Sequence, residues 1–395
     1  MLIRGDTMLN QKKDKIVIMP DSFKGTMSSK EFCQITNQSL SKYFPDYEIL
    51  EIPFADGGEG TIDSLIHTKK GRKKYTNVLD PLGRKIEAYY GFLDDNTVII
   101  ETAQAAGITL LDGELDIMNA STYGLGMQIK DAIEAGAKKI IIGLGGSATN
   151  DGGAGALSAL GVKFFNKKGQ EFSPVGKNLI EIQNIEIDPL KDLISGISFQ
   201  LMSDVDNPLC GEHGAAQTFG PQKGATTEMI QKLDQGLEHF AKKIQKYLGK
   251  SVLDLPGGGA AGGIGAGFYA FFDASLDMGI EILLDMVNAD VLFQETAFII
   301  TGEGKIDKQS ARGKVVSGIS RKAKLYNVPV FAIVGDIGDD INNLYEIGLT
   351  GILSINRVAV PYSDAKKRAK NDLALTIDNF ARILTNKNLY QNLLK

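Results

Sequence analysis

The chain contains no tryptophan, and only two cysteines and three histidines in 395 residues. Cys33 and Cys210 lie far apart and form no CxxC pair, which excludes a disulfide framework and a zinc ribbon. His67, His213 and His239 fall in no HExxH pattern, so a histidine-based zinc site is not expected. No apolar run approaches the ~18 residues that a membrane span requires. The amino terminus, MLIRGDTMLNQKKDK, is polar and lacks a signal-peptide core, so a cytoplasmic chain is expected, with Met8 as an alternative start. Lysine and arginine number 43 against 48 aspartate and glutamate, a net charge of −5. That balance argues against nucleic acid or an anionic membrane as the main partner.

Glycine is what the chain has in excess, 45 residues against only 11 prolines, with no collagen-like period. It is concentrated rather than spread. Residues 143–155 read GLGGSATNDGGAG and residues 257–267 read GGGAAGGIGAG, with smaller clusters at 56–60 and 301–307. Glycine inside regular structure costs ~0.5–1 kcal/mol relative to alanine, so such clusters need a reason. Backbone N–H groups can close around an anion only where Cβ atoms are absent, preferably at the start of a helix. The segment after Lys139–Ile142 fits best: an apolar strand, the glycines, then Ser147, Thr149 and Asn150 as donors, then a small-residue helix. A tight strand-to-helix turn is the bland alternative for any single cluster; four clusters favour phosphate. No GxxxxGK[ST] motif occurs, and Gly257-x-Gly259-x-x-Gly262 follows Leu255-Pro256 rather than a strand.

The chain begins as strand, loop, helix, strand, loop, helix: Ile16–Met19, a helix opened by a Ser28/Glu31 capping box, Ile49–Phe54, and a helix through Ile66. From about residue 72 short β segments at 75–80, 86–93 and 97–101 signal a mixed sheet, with Asp94-Asp95-Asn96 as a hairpin turn. The strand–helix alternation resumes at Ala297–Thr301 and continues through Val328–Val334 and Ile352–Ile355. The expected fold is therefore α/β. A Rossmann-like parallel-sheet domain is built from both chain ends (12–71 and 290–395), and a second α/β domain with a mixed sheet (72–289) is inserted in it.

Acidic residues sit at the ends of β runs: Asp21, Asp56 with Glu59, Asp204 with Asp206, and Glu303 with Asp307. Ligands of open α/β sheets bind outside the carboxyl ends of strands. Phosphoryl transfer needs cations for the polyphosphate, carboxylates for Mg²⁺ and a group that orients the attacking hydroxyl. Lys24, Lys305 and Arg312 are candidate cations. Helix capping is the bland role for Asp21 and Ser22, and a turn for Asp206-Asn207-Pro208. Phe268, Phe271, Phe272 and Met278 read as core, and Lys366–Lys370 as a solvated helix face.

Taken in order, the motifs resemble the bacterial glycerate kinase family, the type with two α/β domains. The resemblance is carried by Asp21-Ser22-Phe23-Lys24-Gly25, Ala55-Asp56-Gly57-Gly58-Glu59-Gly60-Thr61, Asp80-Pro81-Leu82-Gly83 and Ser121-Thr122-Tyr123-Gly124. It continues with Gly145 through Gly153, Asp204-Val205-Asp206-Asn207-Pro208-Leu209, Phe219 through Ala225, and Pro256 through Gly263. Thr301-Gly302-Glu303-Gly304 with Asp307, Gln309 and Ser310 completes it, so that it spans about residues 15–380. After Gly313-Lys314 the family commonly has a proline where this chain reads Val315-Val316-Ser317.

The resemblance implies phosphorylation of D-glycerate by ATP with Mg²⁺ in a cleft between the domains, mostly to 2-phosphoglycerate. Alternatives are a glycerate 3-kinase, a kinase of another small hydroxy acid, and a non-catalytic sensor of a phosphorylated metabolite. The sensor is disfavoured, because a pure phosphate binder gains nothing from nearby carboxylates. In this reading Ser22, Lys24 and Arg312 hold the glycerate carboxylate and phosphoryl oxygens, and Asp21 is a further substrate-binding residue. Gly145, Gly146, Ser147, Thr149 and Asn150, with Gly258 and Gly259, cradle the polyphosphate. Asp56 or Asp204 orients the hydroxyl, and Asp206 with Glu303 holds the metal.

Overall fold

The computed structural model describes residues 14–23, 25–54, 58–307, 310 and 315–386. The strands of its two main sheets are, in chain order, β1 (Lys15–Ile18), β2 (Glu48–Glu51), β3 (Arg72–Leu79), β4 (Lys85–Phe92), β5 (Thr97–Glu101) and β6 (Lys139–Gly143). They continue as β7 (Ser198–Met202), β8 (Ser275–Asp277), β9 (Thr296–Thr301), β10 (Val330–Val334) and β11 (Leu349–Ser354). The chain divides into two compact units, Met1–Phe54 with Ile280–Lys395, and Ala55–Gly279.

The first unit carries a wholly parallel sheet in the order β2-β1-β9-β10-β11. Its central strands are short apolar runs because helices cover both faces of such a sheet; Ile16, Val17 and Ile18 of β1 are fully buried. The helix Ser29–Leu40 begins where the sequence places it. Ser28 accepts from the Glu31 N–H while the Glu31 carboxylate accepts from the Ser28 N–H, closing the capping box. Both chain ends thus build one sheet, and its order reverses direction at β1/β9. In doubly wound sheets that reversal marks the ligand crevice, at the carboxyl ends of the strands.

The second unit carries a mixed sheet in the order β3-β4-β5-β6-β7-β8. β5 to β8 run parallel, while β3 and β4 pair antiparallel to their neighbours. The turn before β5 is the expected one: the Asp94 carboxylate accepts the N–H groups of Asn96 and Thr97. Ile140, Ile141 and Ile142 of β6 are fully buried at the centre of the sheet. Phe268 and Phe272 of the helix Ala260–Phe272 stand 4.5 Å apart, and Phe272 stacks on Phe199 of β7 at 4.4 Å. These aromatics are core, as their spacing implies.

The sequence pattern groups the helix Thr61–Lys69 with the first domain, whereas in the structure it packs on β4 and β5 of the second unit. Ile62 and Ile66 lie directly over Gly91 of β4. The cause is side-chain fit, which periodicity alone does not carry. A small three-stranded sheet (Lys163–Phe165, Glu171–Phe172 and Asn184–Glu186) also belongs to this unit. Its strands are too short to stand out as a pattern.

Candidate active site

In the second unit the carboxyl ends of β6 and β7 open onto a cavity of about 340 Å³. The loop after β6 forms one wall with Leu144, Gly145, Gly146 and Ser147; the loop after β7 adds Ser203, Asp204 and Val205. Gly146 is held by the Ile108 N–H, which donates to its carbonyl at 2.9 Å, and Ala148 donates to the Ala106 carbonyl at 2.8 Å. The loop is therefore fixed by its carbonyls and by Ala148. Among the described residues no hydrogen bond takes the N–H groups of Gly145, Gly146 or Ser147. Three adjacent unspent donors in residues that line a cavity suit an anion.

Behind this wall the loop is anchored by a buried carboxylate. Asp151 accepts from the Thr122 N–H and hydroxyl, both at 2.8 Å, and from the N–H groups of Gly153 and Gly155 at 3.1 and 3.2 Å. Burial pushes its carboxyl above the usual range, and these four donors work against that. The second glycine run presses on the same loop. Gly262 has φ +69°, and a Cβ there would lie 2.0 Å from the Thr149 carbonyl oxygen. One at Gly267 would lie 2.0 Å from the Gly152 carbonyl oxygen. Much of the second glycine cluster thus serves backbone-to-backbone packing.

Gly258 and Gly259 do not offer the donors expected of them. Their N–H groups are spent on the carbonyls of Leu255 and Asn207, at 2.8 and 3.0 Å. Thr149 and Asn150 are buried, and neither the Thr149 hydroxyl nor the Asn150 side-chain N–H₂ has a partner among the described residues. Asp204 is half-buried on the cavity wall, and its Oδ1 accepts the Gly279 N–H at 3.0 Å. Asp206, two residues on, is exposed.

In the first unit Asp21 and Ser22 follow β1, and Glu303 follows β9, at the reversal of strand order. The two loops are tied together: the Asp21 N–H donates to the Gly302 carbonyl at 2.7 Å and the Thr301 hydroxyl to the Met19 carbonyl at 2.9 Å. The Asp21 carboxylate accepts the Ser22 N–H at 2.6 Å, and Glu303 is buried. Lys24, Asp56 and Arg312 lie outside the described residues. No three His, Cys, Asp or Glu side chains cluster as a metal cage among the described residues. Mg²⁺ needs none, since it commonly keeps waters and takes one or two carboxylates besides substrate phosphates. Asp204 and Asp206 in the second unit, and Glu303 in the first, are each carboxylates of the kind that requirement admits.

Two groups stand out that sequence reasoning did not single out. Lys223 lines the cavity yet is only 3% exposed, donating from Nζ to the Ser147 hydroxyl and the Thr149 carbonyl, each at 2.8 Å. Burial pulls its ammonium down to about 7, against a smaller upward pull from Asp151. Its place in Phe219-Gly220-Pro221-Gln222-Lys223 was the available signal. Glu101, the last residue of β5, is fully buried and pushed up to about 7 by desolvation. It accepts the Ile62 N–H at 2.7 Å, at the start of the helix Thr61–Lys69.

A family model described as the glycerate kinase family matches residues 16–385. The chain belongs to the glycerate kinase family. With that membership it is an enzyme, a kinase. A glycerate kinase from Halalkalibacterium halodurans is 41% identical over 368 residues, covering 93% of this chain and 97% of the relative. A protein of Escherichia coli named glycerate 2-kinase is 40% identical over 372 residues, covering 94% and 98%. The crystal structure of a glycerate kinase 2 from Salmonella typhimurium superposes with a TM-score of 0.84 at 39% identity. It covers 95% of this chain and 99% of that one. The α/β fold is thus shared with that solved structure. No described helix is long and apolar enough to cross a membrane.

Proposed function

We propose that the chain transfers the γ-phosphoryl group of ATP, with Mg²⁺, to D-glycerate in the cytoplasm, giving 2-phosphoglycerate. The observation that carries this is the cavity in the second unit, lined both by Asp204 and by three residues with unspent N–H groups, in a chain of this family. Such donors suit phosphate oxygens, and a carboxylate beside them suits what phosphate binding alone does not need: an incoming hydroxyl or a metal. The 2-position is favoured by the name of the Escherichia coli relative.

In this reading Gly145, Gly146 and Ser147 donate to polyphosphate oxygens. Asp204 accepts a hydrogen bond from the attacking hydroxyl and holds it in line, and Asp56 is the second candidate for that role. Asp206 of the second unit and Glu303 of the first are each candidate carboxylates for the metal, which would neutralise phosphate charge. Asp21, Ser22, Lys24 and Arg312 hold the small anionic substrate. Gly258 and Gly259 shape the cavity loop without donating to the ligand.

The test is ADP release in a coupled assay with Mg²⁺, comparing D-glycerate with L-glycerate, glycolate and lactate. ADP formation that depends on D-glycerate and stops with EDTA is the expected result. Turnover of another hydroxy acid but not D-glycerate would move the substrate assignment within the kinase class. Nucleotide binding without turnover of any of these acids would favour the sensor.

A further inference from the structure

Lys223 poses a physical problem that the fold by itself does not solve. An ammonium is strongly hydrated, and its burial is disfavoured unless a counter-charge accompanies it. Among the described residues no carboxylate lies within ion-pairing distance of Lys223; its Nζ meets only a hydroxyl and a carbonyl oxygen. A lysine ammonium has three N–H donors, so those two acceptors leave one unspent. The residue nevertheless lines the cavity, beside the loop whose Gly145, Gly146 and Ser147 N–H groups are also unspent.

Resting on the reading above that this cavity takes phosphate, we propose that Lys223 is a phosphate-binding residue of the site. It completes, with the N–H groups of Gly145–Ser147, a cradle for phosphoryl oxygens. The bond to the Ser147 hydroxyl fixes the ammonium against the loop that carries the other donors. The chemistry recognised is a phosphate dianion or polyphosphate, supplied by the nucleotide or by the phosphorylated product. Among the described residues, the charged groups around Lys223 are Asp151, buried in the same loop, and Asp204, which lines the same cavity. Asp151 is already occupied by the donors of Thr122, Gly153 and Gly155. Burial pulls the Lys223 ammonium of the free protein down to about 7, and the negative charge of an arriving phosphate would draw it back up. Phosphate binding at pH 8 should then take up about one proton from solvent.

Calorimetry of the full chain at pH 8, in buffers of different ionisation enthalpy, tests this with Mg·ADP and with 2-phosphoglycerate as separate probes. Wild type is expected to take up about one proton with the probe whose phosphate Lys223 meets. Lys223→Met, which keeps length and apolar volume, is expected to bind that probe about 10- to 100-fold more weakly, the range for a charge-assisted hydrogen bond, with no uptake. Which probe responds tells nucleotide phosphate from product phosphate, and either response supports the proposal. Wild-type affinity in Lys223→Met for both probes would overturn it. Absence of proton uptake by wild type would do the same, even if the variant failed to fold. Mg·ADP binding with uptake but no glycerate turnover would sink the substrate assignment and leave Lys223 in place. Glycerate turnover with an unaffected Lys223→Met would do the reverse.

Discussion

Replacing Glu101 by glutamine should stabilise the protein, and only at neutral to alkaline pH. The carboxyl is fully buried at the end of β5 and pushed from 4.5 to about 7 by desolvation. The Ile62 N–H and the Gln104 amide pull it down, and Asp63 and Glu59 push it further up. Because the folded state binds this proton more tightly than the unfolded chain, stability falls as pH rises between 4.5 and about 7. The favourable contribution is complete below that window and lost above it. At ~1.4 kcal/mol per pH unit the loss amounts to about 3 kcal/mol by pH 8. Glutamine carries no charge, and its amide oxygen can still accept the Ile62 N–H now bonded at 2.7 Å. For a unit of this size, about 2–4 °C per kcal/mol translates that into a rise of ~6–12 °C. Thermal melts of wild type and Glu101→Gln at pH 5 and pH 8 measure it. The gain should be large at pH 8 and small at pH 5. An equal gain at both values, or a loss at pH 8, would refute the reasoning.

Other substitutions probe the site itself. Asp204→Asn keeps an acceptor for the Gly279 N–H, now bonded at 3.0 Å, and should lower kcat by ~10²–10⁴; an unchanged kcat removes Asp204 from the reaction. Gly262→Ala places a Cβ 2.0 Å from the Thr149 carbonyl oxygen at a φ of +69° and should cost about 2–4 kcal/mol, read as a lowered melting temperature. An unchanged melt would show that the two glycine loops do not brace each other. Lys24→Ala should lower kcat by ~10²–10³ if that lysine stabilises transferring charge, and normal kcat in folded protein would remove it from the mechanism.

Much of the fold is legible in the sequence because local and tertiary demands agree. The run Lys139–Ile142 can only be a buried strand, the Ser28/Glu31 pair caps its helix, and strand–helix alternation at both ends requires one parallel sheet. The glycine loop after β6 was legible for a chemical reason, since unspent donors need absent side chains. Gly258 and Gly259 were misleading because a glycine that lets two backbones touch has the same letter as one that admits an anion. Lys223 was hidden for a related reason. Nothing in Phe219-Gly220-Pro221-Gln222-Lys223 says that its lysine points inward, and only the packing around Ser147 and Thr149 reveals it. Glu101 ends an ordinary apolar strand, and its altered acidity arises from a helix start far away in sequence. The helix Thr61–Lys69 likewise reads as amphipathic without stating which sheet it covers.

The most direct test of the central claim is ³¹P NMR of the protein with ATP, Mg²⁺ and D-glycerate, against standards of 2- and 3-phosphoglycerate. The account predicts a growing 2-phosphoglycerate resonance matched by ADP. A 3-phosphoglycerate resonance would keep the reaction and reverse the choice of hydroxyl. Folded protein that binds ATP yet forms neither product would contradict the assignment of glycerate as substrate.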